Sequence, residues 1–189
     1  MIVLASQSPR RQELLAQAGL PFVVRVADIA EVRGVDEPPR RYVLRLAREK
    51  AAAVPSLPAE FVLAADTTVV VDGAVLEKPT SVRDAARMLR VLSGRQHVVM
   101  TGICLRHGAG EWSTVEQTRV RFAQLNEDEI LAYAASGEPM DKAGAYAIQG
   151  LASKFVTAID GCYFNVVGLP VARVYQLLKQ AGYYSLALG

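Results

Sequence analysis

The apolar positions of this chain fall into short blocks, and the spacing within a block names the element it predicts. Ile2 to Ala5 is an unbroken run, as expected of a short strand buried on both faces. Ser8 and Pro9 then open a helix. A serine suits the cap, and proline suits the first turn because its missing N–H would be unpaired there anyway. Leu14, Leu15 and Ala18 give that helix its apolar stripe, and Gly19 ends it. Phe22 to Val26 reads as a second strand. A loop with two carboxylates, Asp28-Ile29-Ala30-Glu31, leads to a connector marked by Gly34 and Pro38-Pro39. Apolar residues then return at helical spacing: Val43, Leu46, Ala47, Ala53 and Val54 predict a helix from about Arg40 to Val54. Lys50 falls on that apolar face.

Phe61 to Ala65 is wholly apolar and predicts a central strand, which meets Asp66-Thr67-Thr68 before Val69-Val70-Val71 resumes. Asp72-Gly73 signals a two-residue hairpin turn. Tight closure would set Val71 opposite Ala74, Thr68 opposite Glu77 and Thr67 opposite Lys78, with Asp66 diagonal to Glu77. Pro79 stops the hairpin. Ser81-x-x-Asp84 opens a helix with Ala85, Met88, Leu89 and Leu92 inward, closed by Gly94. His97 to Leu105 and Trp112 to Phe122 are β-rich and joined by the Gly108/Gly110 loop, hence an antiparallel pair. Thr118, Val120 and Phe122 alternate there with Arg119 and Arg121, so one face is wet. Asn126-x-x-Glu129 starts a helix that ends near Ser136-Gly137. Lys154 to Ile159 and Cys162 to Val167 flank Asp160-Gly161, which reads as a second hairpin. Pro170 begins the last helix, with Val171, Val174, Leu177 and Leu178 inward and Gly182 at its end. The tail from Tyr183 carries no signal.

Composition narrows the function classes. A chain of 189 residues, half of them apolar, buries a core of its own and predicts one domain over 1–189, or two lobes sharing a sheet. A net charge of +2 is too small to argue for nucleic acid as a partner. Cys104 and Cys162 lack the spacing of a zinc site or a disulfide framework, so reduced thiols in the cytoplasm are expected. His97 and His107 are the only histidines, which argues against a histidine-ligated metal or a serine–histidine triad. The first apolar run breaks at Ser6 and has no basic region before it, unlike a signal peptide. No run reaches membrane-spanning length.

Three places carry candidate chemistry. Arg10 and Arg11 sit in the first turn of a helix, where unpaired N–H groups and the helix dipole make cations unwelcome. An anion such as a phosphate chain accounts for them, and two solvated surface arginines are the plain alternative. Asp66 ends an apolar strand, where an unpaired charge is costly, and the hairpin adds Glu77 and Lys78. Carboxylates with a lysine are what a hard divalent cation and a phosphate need. Lys50 is either an amine pointing into a cleft or a lysine snorkelling from the edge of its stripe. The densest polar stretch runs from Glu138 to Gly150 and mixes acid, base, amide and hydroxyl among glycines that let backbone approach a ligand.

Taken together, these stretches resemble the Maf family of nucleoside-triphosphate pyrophosphatases. The matching pieces are Leu4-Ala5-Ser6-x-Ser8-Pro9-Arg10-Arg11, Leu46-Ala47-x-x-Lys50-Ala51, Ala65-Asp66-Thr67 and Glu77-Lys78-Pro79, then Gly137-Glu138-Pro139-x-Asp141-Lys142-Ala143-Gly144-Ala145-Tyr146, Ile148-Gln149-Gly150 and Asn165-Val166-Val167-Gly168-Leu169-Pro170. They span nearly the whole chain in the family's order. The resemblance implies an α/β fold with a long mixed sheet flanked by helices, two lobes and a central cleft, and commonly a homodimer. It implies hydrolysis of a nucleoside triphosphate to the monophosphate and pyrophosphate with a divalent cation, magnesium or manganese. Asp66 matches the family's proton acceptor, and Arg10, Thr67 and Gln149 match positions linked to base choice. Arg11, Lys50 and Lys78 are expected around the triphosphate, with Ser6 and Lys142 as further substrate contacts. Glu31, Asp66 and Glu77 are the expected metal ligands. The acidic loop departs from the family's frequent Asp-Ile-Asp-Glu, since Ala30 replaces the second aspartate and leaves Glu31 to carry that loop's contribution. Cys162 stands where serine is frequent.

Gln149 gives a physical handle on the substrate. Uracil and thymine present an acceptor at O4 and a donor at N3, and a carboxamide offers the complementary pair. A glutamate would suit the donor-rich edge of guanine instead. The chain therefore resembles the dTTP/UTP branch of the family rather than the branch acting on 7-methyl-GTP. A regulatory protein that inhibits septum formation by binding, and a nucleotide sensor without turnover, are the alternatives from other classes.

Overall fold

The computed structural model describes residues 1–26 and 28–183. Its elements in chain order are β1 (Ile2–Leu4), α1 (Pro9–Gln17), β2 (Phe22–Val24), α2 (Pro39–Ala53), β3 (Phe61–Val71), β4 (Ala74–Leu76), α3 (Val82–Leu92), β5 (Gln96–His107), β6 (Gly110–Phe122), α4 (Glu127–Ala135), β7 (Val156–Asp160), α5 (Tyr163–Val167) and α6 (Val171–Gln180). Three short 3₁₀ turns, Glu138–Asp141, Ala143–Ala145 and Leu151–Phe155, lie between α4 and β7. The strands form a seven-stranded mixed sheet in the order β2-β1-β3-β5-β6-β7, with β4 paired to β3. This is the helix-flanked α/β sheet that the sequence predicts. The chain divides into two compact units. One comprises Met1–Asp66, Thr101–Glu116 and the chain from Gly168; the other comprises Thr67–Met100 and Gln117–Val167.

In the first unit, β1 pairs in parallel with both β2 and β3, in the registers Ile2↔Phe22 and Ile2↔Phe61. Parallel strands in mid-sheet are covered on both faces, and Ile2, Val3 and Leu4 are fully buried. One face is covered by α2. Ala47, Ala51 and Val54 of that helix form a core cluster with Val3, Ala5, Val62, Ala64 and Cys104. Small residues on both sides bring the helix close to the sheet. At Gly102 a methyl would overlap the backbone carbonyl of Val43, so only glycine fits beneath α2 there.

Within α1, Leu14 and Leu15 are buried as expected, whereas Ala18 is exposed at the C-cap and Leu20 takes the inward place. Ser8 occupies the cap position, but its side chain makes no cap hydrogen bond. Instead the Ser6 hydroxyl accepts from Ser8 N at 3.2 Å.

In the second unit, the Asp72-Gly73 turn is present as predicted. Both residues have positive φ, 48° and 79°, as a tight hairpin turn matched to strand twist requires. Val71 faces Ala74, but the ladder ends at Val69↔Leu76, so the expected pairs Thr68–Glu77 and Thr67–Lys78 are not formed. The Glu77 carbonyl accepts instead from Gly144 N at 3.1 Å. Ser81 caps α3 by accepting from Asp84 N, and Asn126 and Glu129 form a complete capping box on α4. The alternation in β6 is borne out: Thr118, Val120 and Phe122 are buried, Arg119 and Arg121 exposed.

The second predicted hairpin is not present. β7 pairs antiparallel with β6 from Arg119↔Asp160 onward, and the residues after Gly161 turn into helix α5. Thr118 decides this. Its hydroxyl accepts from Cys162 N at 3.1 Å and donates to Cys162 O at 3.0 Å, using the groups a returning strand would pair. The Asn165 amide then donates to Thr118 Oγ1 and to Val99 O, both at 3.0 Å. In α6, Val174, Leu177 and Leu178 are buried while Val171 is half-buried.

Candidate active site

The first unit collects Ser6, Arg10, Arg11, Glu31, Lys50 and Asp66. Parallel pairing of β1 with β3 continues one step past the strand, through a hydrogen bond from Ala5 N to Leu63 O of 2.8 Å. Ser6 thus follows the paired end of β1, whereas Asp66, expected to end its strand, lies inside β3, which continues to Val71. Asp66 is buried, and its Oδ1 lies 2.7 Å from Lys50 Nζ. The same ammonium lies 2.7 Å from Glu31 Oε1. Lys50 reaches inward from the α2 face that the apolar stripe marks out, so the amine that could have snorkelled is held by two carboxylates.

Glu31 is brought there by the loop that precedes α2. Tyr42 of α2 donates to the Glu31 carbonyl at 3.3 Å. Arg45, one turn on, donates to Val32 O at 3.0 Å and pairs with Glu37 at 2.8 Å. The helix therefore carries both the amine and the anchors of its second carboxylate.

Arg11 closes the cluster in an unanticipated way. Its Nε donates to Gly168 O at 2.9 Å, and its Nη1 donates to Ala65 O at 2.9 Å and to Ser6 Oγ at 3.2 Å. The guanidinium fork is thus spent largely on the protein itself, tying the first turn of α1 to β3 and to the segment before α6. Burial pulls the Arg11 pKa down; the charge of Asp66 opposes this, and that of Arg10 adds to it. Arg10, half-buried on the same turn, is the arginine of the pair not spent in these three bonds. For Asp66, burial raises the pKa above the usual carboxylate range. Lys50 and Arg11 pull against that rise, and Glu31 adds to it.

The second unit carries Thr67, Glu77, Lys78, Lys142 and Gln149. Thr67 is half-buried, and Glu77 and Lys78 are exposed beyond the end of β4. Lys142 bonds within its own 3₁₀ segment, donating to Glu138 O at 2.9 Å and pairing with Asp141. Gln149 is exposed on the turn closed by Gly150 N to Ala147 O at 3.1 Å. The polar stretch from Glu138 to Gly150 is thus a string of tight turns, with Gly144 and Ala145 both at positive φ. At Gly144 a methyl would crowd Val69, which explains the glycine in that part of the motif.

Sequence reasoning missed Tyr133, Glu138 as a side chain, and the Gly168 carbonyl. Glu138 and Gly168 lay inside quoted motifs. Tyr133 reads only as one more residue on a helix. Among the described residues, no group of three or more histidine, cysteine, aspartate or glutamate side chains is placed to hold a metal ion by itself. Also among them, no helix is long and apolar enough to cross a membrane.

Comparison with known proteins agrees with this fold. A dTTP/UTP pyrophosphatase of Koribacter versatilis is 53% identical over 182 residues, covering 96% of this chain and 94% of that protein. A dTTP/UTP pyrophosphatase of Anaeromyxobacter dehalogenans is 55% identical over 186 residues with the same coverage. Among solved structures, a HAM1 protein from Coxiella burnetii aligns over 95% of this chain and 98% of its own with a TM-score of 0.52. At 18% identity, that likeness speaks to the fold alone. The model of the Maf-like protein family matches residues 1–181, and the chain belongs to that family.

Proposed function

We propose that this chain is a nucleoside-triphosphate pyrophosphatase that hydrolyses dTTP and UTP to the monophosphate and pyrophosphate. One observation carries the reading: a buried carboxylate, Asp66, whose pKa is raised by burial and which is held by a single amine at 2.7 Å. A carboxylate with that environment suits a proton acceptor working near neutral pH. In this reading Asp66 takes a proton from water as the water attacks phosphorus. The bond between the α- and β-phosphates breaks, and pyrophosphate leaves with the electron pair. Lys50, shared by two carboxylates, orients Asp66 and keeps it ionised. Arg11 shapes the loop from Ser6 to Pro9, and Arg10, with Lys78, Lys142, Ser6 and Thr67, contacts the substrate.

A divalent cation fits the donor set. Glu31 and Asp66 offer hard carboxylate oxygens, each 2.7 Å from the Lys50 ammonium, and magnesium or manganese is commonly held by one or two carboxylates together with substrate phosphates and water. Glu77 is the third carboxylate of this reading. When bound, the cation supplies neutralisation of charge on the phosphate oxygens. Gln149, exposed on its turn, reads O4 and N3–H of the pyrimidine. The names of the relatives support this base choice. Free thiols at Cys104 and Cys162 suit the cytoplasm, where nucleotides are made and used. Pairing of two copies belongs to the same reading, and sedimentation tests it.

The deciding experiment incubates the purified protein with dTTP, UTP or 7-methyl-GTP and magnesium or manganese, and measures monophosphate and pyrophosphate. Release from dTTP and UTP that a chelator abolishes is expected. Binding without product, as a regulatory protein or a sensor would give, overturns the reading. A preference for 7-methyl-GTP overturns the assignment of the base.

A further inference from the structure

The turn that carries Gln149 is braced from both ends by one pair of side chains. On its near side, Ala147 N donates to the Tyr133 hydroxyl at 3.1 Å in a buried contact. On its far side, Leu151 N donates to Glu138 Oε2 at 3.0 Å. The two braces are joined, because Tyr133 donates its proton to Glu138 Oε1 at 2.8 Å. The resulting circuit, Ala147 N to Tyr133 to Glu138 to Leu151 N, encloses the backbone of residues 147–150.

The surrounding residues are fitted to this circuit. At Gly150 a methyl would overlap the Glu138 carboxylate, so glycine there lets the carboxylate reach across the turn. The Glu138 backbone is itself fixed: its N–H donates to Ser136 Oγ at 3.3 Å, and its carbonyl accepts from Lys142 Nζ at 2.9 Å. The Tyr133 ring packs edge-on against Phe155 at 5.5 Å between centroids, which fixes the direction of its hydroxyl. None of this is needed to close the turn, which has its own Gly150 to Ala147 hydrogen bond. A carboxylate and a phenol spent on one exposed glutamine's turn call for a reason.

The geometry points to Tyr133 and Glu138 as positioning residues for base selection, acting through Gln149. This rests on the reading of Gln149 given above. A glutamine side chain has three rotatable bonds and makes two hydrogen bonds to a base edge together only if its Cα is held. Slack in the turn lets one bond form at a time. Cytosine, whose donor and acceptor are exchanged, is met by the same carboxamide turned over by about 180°, which a slack turn accommodates as readily, so the advantage of uracil or thymine is lost.

The test compares Glu138→Gln, Tyr133→Phe and Gln149→Ala, with the two double variants that carry Gln149→Ala, using UTP and CTP as substrates. Glu138→Gln puts an N–H where an acceptor faces Leu151 N or Tyr133. Tyr133→Phe removes a single oxygen and serves if the first variant folds poorly. Either variant is expected to raise KM for UTP at least fivefold and to reduce the ratio of kcat/KM for UTP over CTP at least fivefold. The loss falls on KM more than on kcat. Adding either to Gln149→Ala should produce little further change, because both act through the same carboxamide. If Gln149→Ala lowers the ratio but a folded Glu138→Gln or Tyr133→Phe does not, the bracing role is overturned and base reading by Gln149 stands. Additive losses in the double variants overturn it as well. If Gln149→Ala leaves the ratio unchanged, both readings fall.

Discussion

The Lys50 ammonium stands 2.7 Å from the Asp66 carboxylate in a site that leaves each side chain only 14% and 10% exposed. Two charges so far out of water offset part of each other's desolvation, and neither is at ease alone. Glu31 meets the same ammonium but is 44% exposed, so it can return to water where Asp66 cannot. This asymmetry makes the consequences of removing each partner unequal.

Removing the amine should expose the cost carried by Asp66. In Lys50→Met the first cause lowering the Asp66 pKa disappears while burial and the Glu31 charge still raise it. More of the carboxylate is then protonated at a given pH, and a base must be ionised to accept a proton. The acid limb of the kcat/KM profile is expected to move to higher pH, with activity at neutral pH down by roughly a hundredfold. An unmoved limb would separate Lys50 from the ionisation of Asp66.

Removing the carboxylate should do the reverse. Asp66→Asn leaves Lys50 paired with the half-exposed Glu31, so no charge is stranded and the unfolding midpoint should shift little. Turnover should fall by about 10²–10⁴, the usual share of general-base catalysis. Thermal unfolding and pyrophosphate release measured on one preparation check both halves. Near-normal turnover in a folded variant would remove Asp66 from the mechanism.

Arg11 is expected to behave as a structural residue with a functional address. Its donors meet acceptors in three separate segments, Gly168 O, Ala65 O and Ser6 Oγ. Arg11→Lys keeps the charge but cannot satisfy that fork, and should cost about 1–3 kcal/mol in denaturant titration. Stability unchanged by the substitution would mean that the charge alone matters there.

His97 provides a pH signature of folding rather than of catalysis. It is buried, its Nε2 lies 2.8 Å from the Tyr146 hydroxyl, and burial pulls its pKa from 6.5 to about 4. Between those values the unfolded chain binds a proton that the folded one refuses. The stabilising contribution is therefore full above pH 6.5 and is lost as pH falls toward 4, by about 3 kcal/mol for a shift of this size. Urea midpoints measured from pH 7 to 4 should decline over that window, and more weakly in His97→Gln.

What could be seen in the sequence was whatever is decided locally. Asp72-Gly73 forms its tight turn because positive φ at both positions is a property of those two residues and their neighbours. Lys50 was visible as a misfit on an apolar helix face, and Asp66 as a charge at the end of an apolar run, although β3 continues through it to Val71. Asp160-Gly161 looks like the same turn signal and is not one. Its outcome is set by the hydroxyl of Thr118, far off in the chain, which claims both backbone groups of Cys162. The same holds within the site. That Glu31 would share the Lys50 amine, or that Arg11 would spend its donors on carbonyls, depends on segments distant in sequence meeting in space. Periodicity carries no trace of such meetings. Tyr133 is the clearest case: nothing distinguishes it from an ordinary buried helical tyrosine until its hydroxyl is seen between Ala147 and Glu138.

Gly102 has no side chain to offer any ligand, yet it lies directly beneath Val43, two helical turns before the amine that holds Asp66. Even a single carbon there must lift or tilt the rod that carries Lys50, and the base loses its partner without any reactive group being touched. In a screen scored only on turnover, this strand position would masquerade as part of the chemistry. Its silence would be mechanical in origin, and only a variant restoring the clearance from the helix side would reveal it.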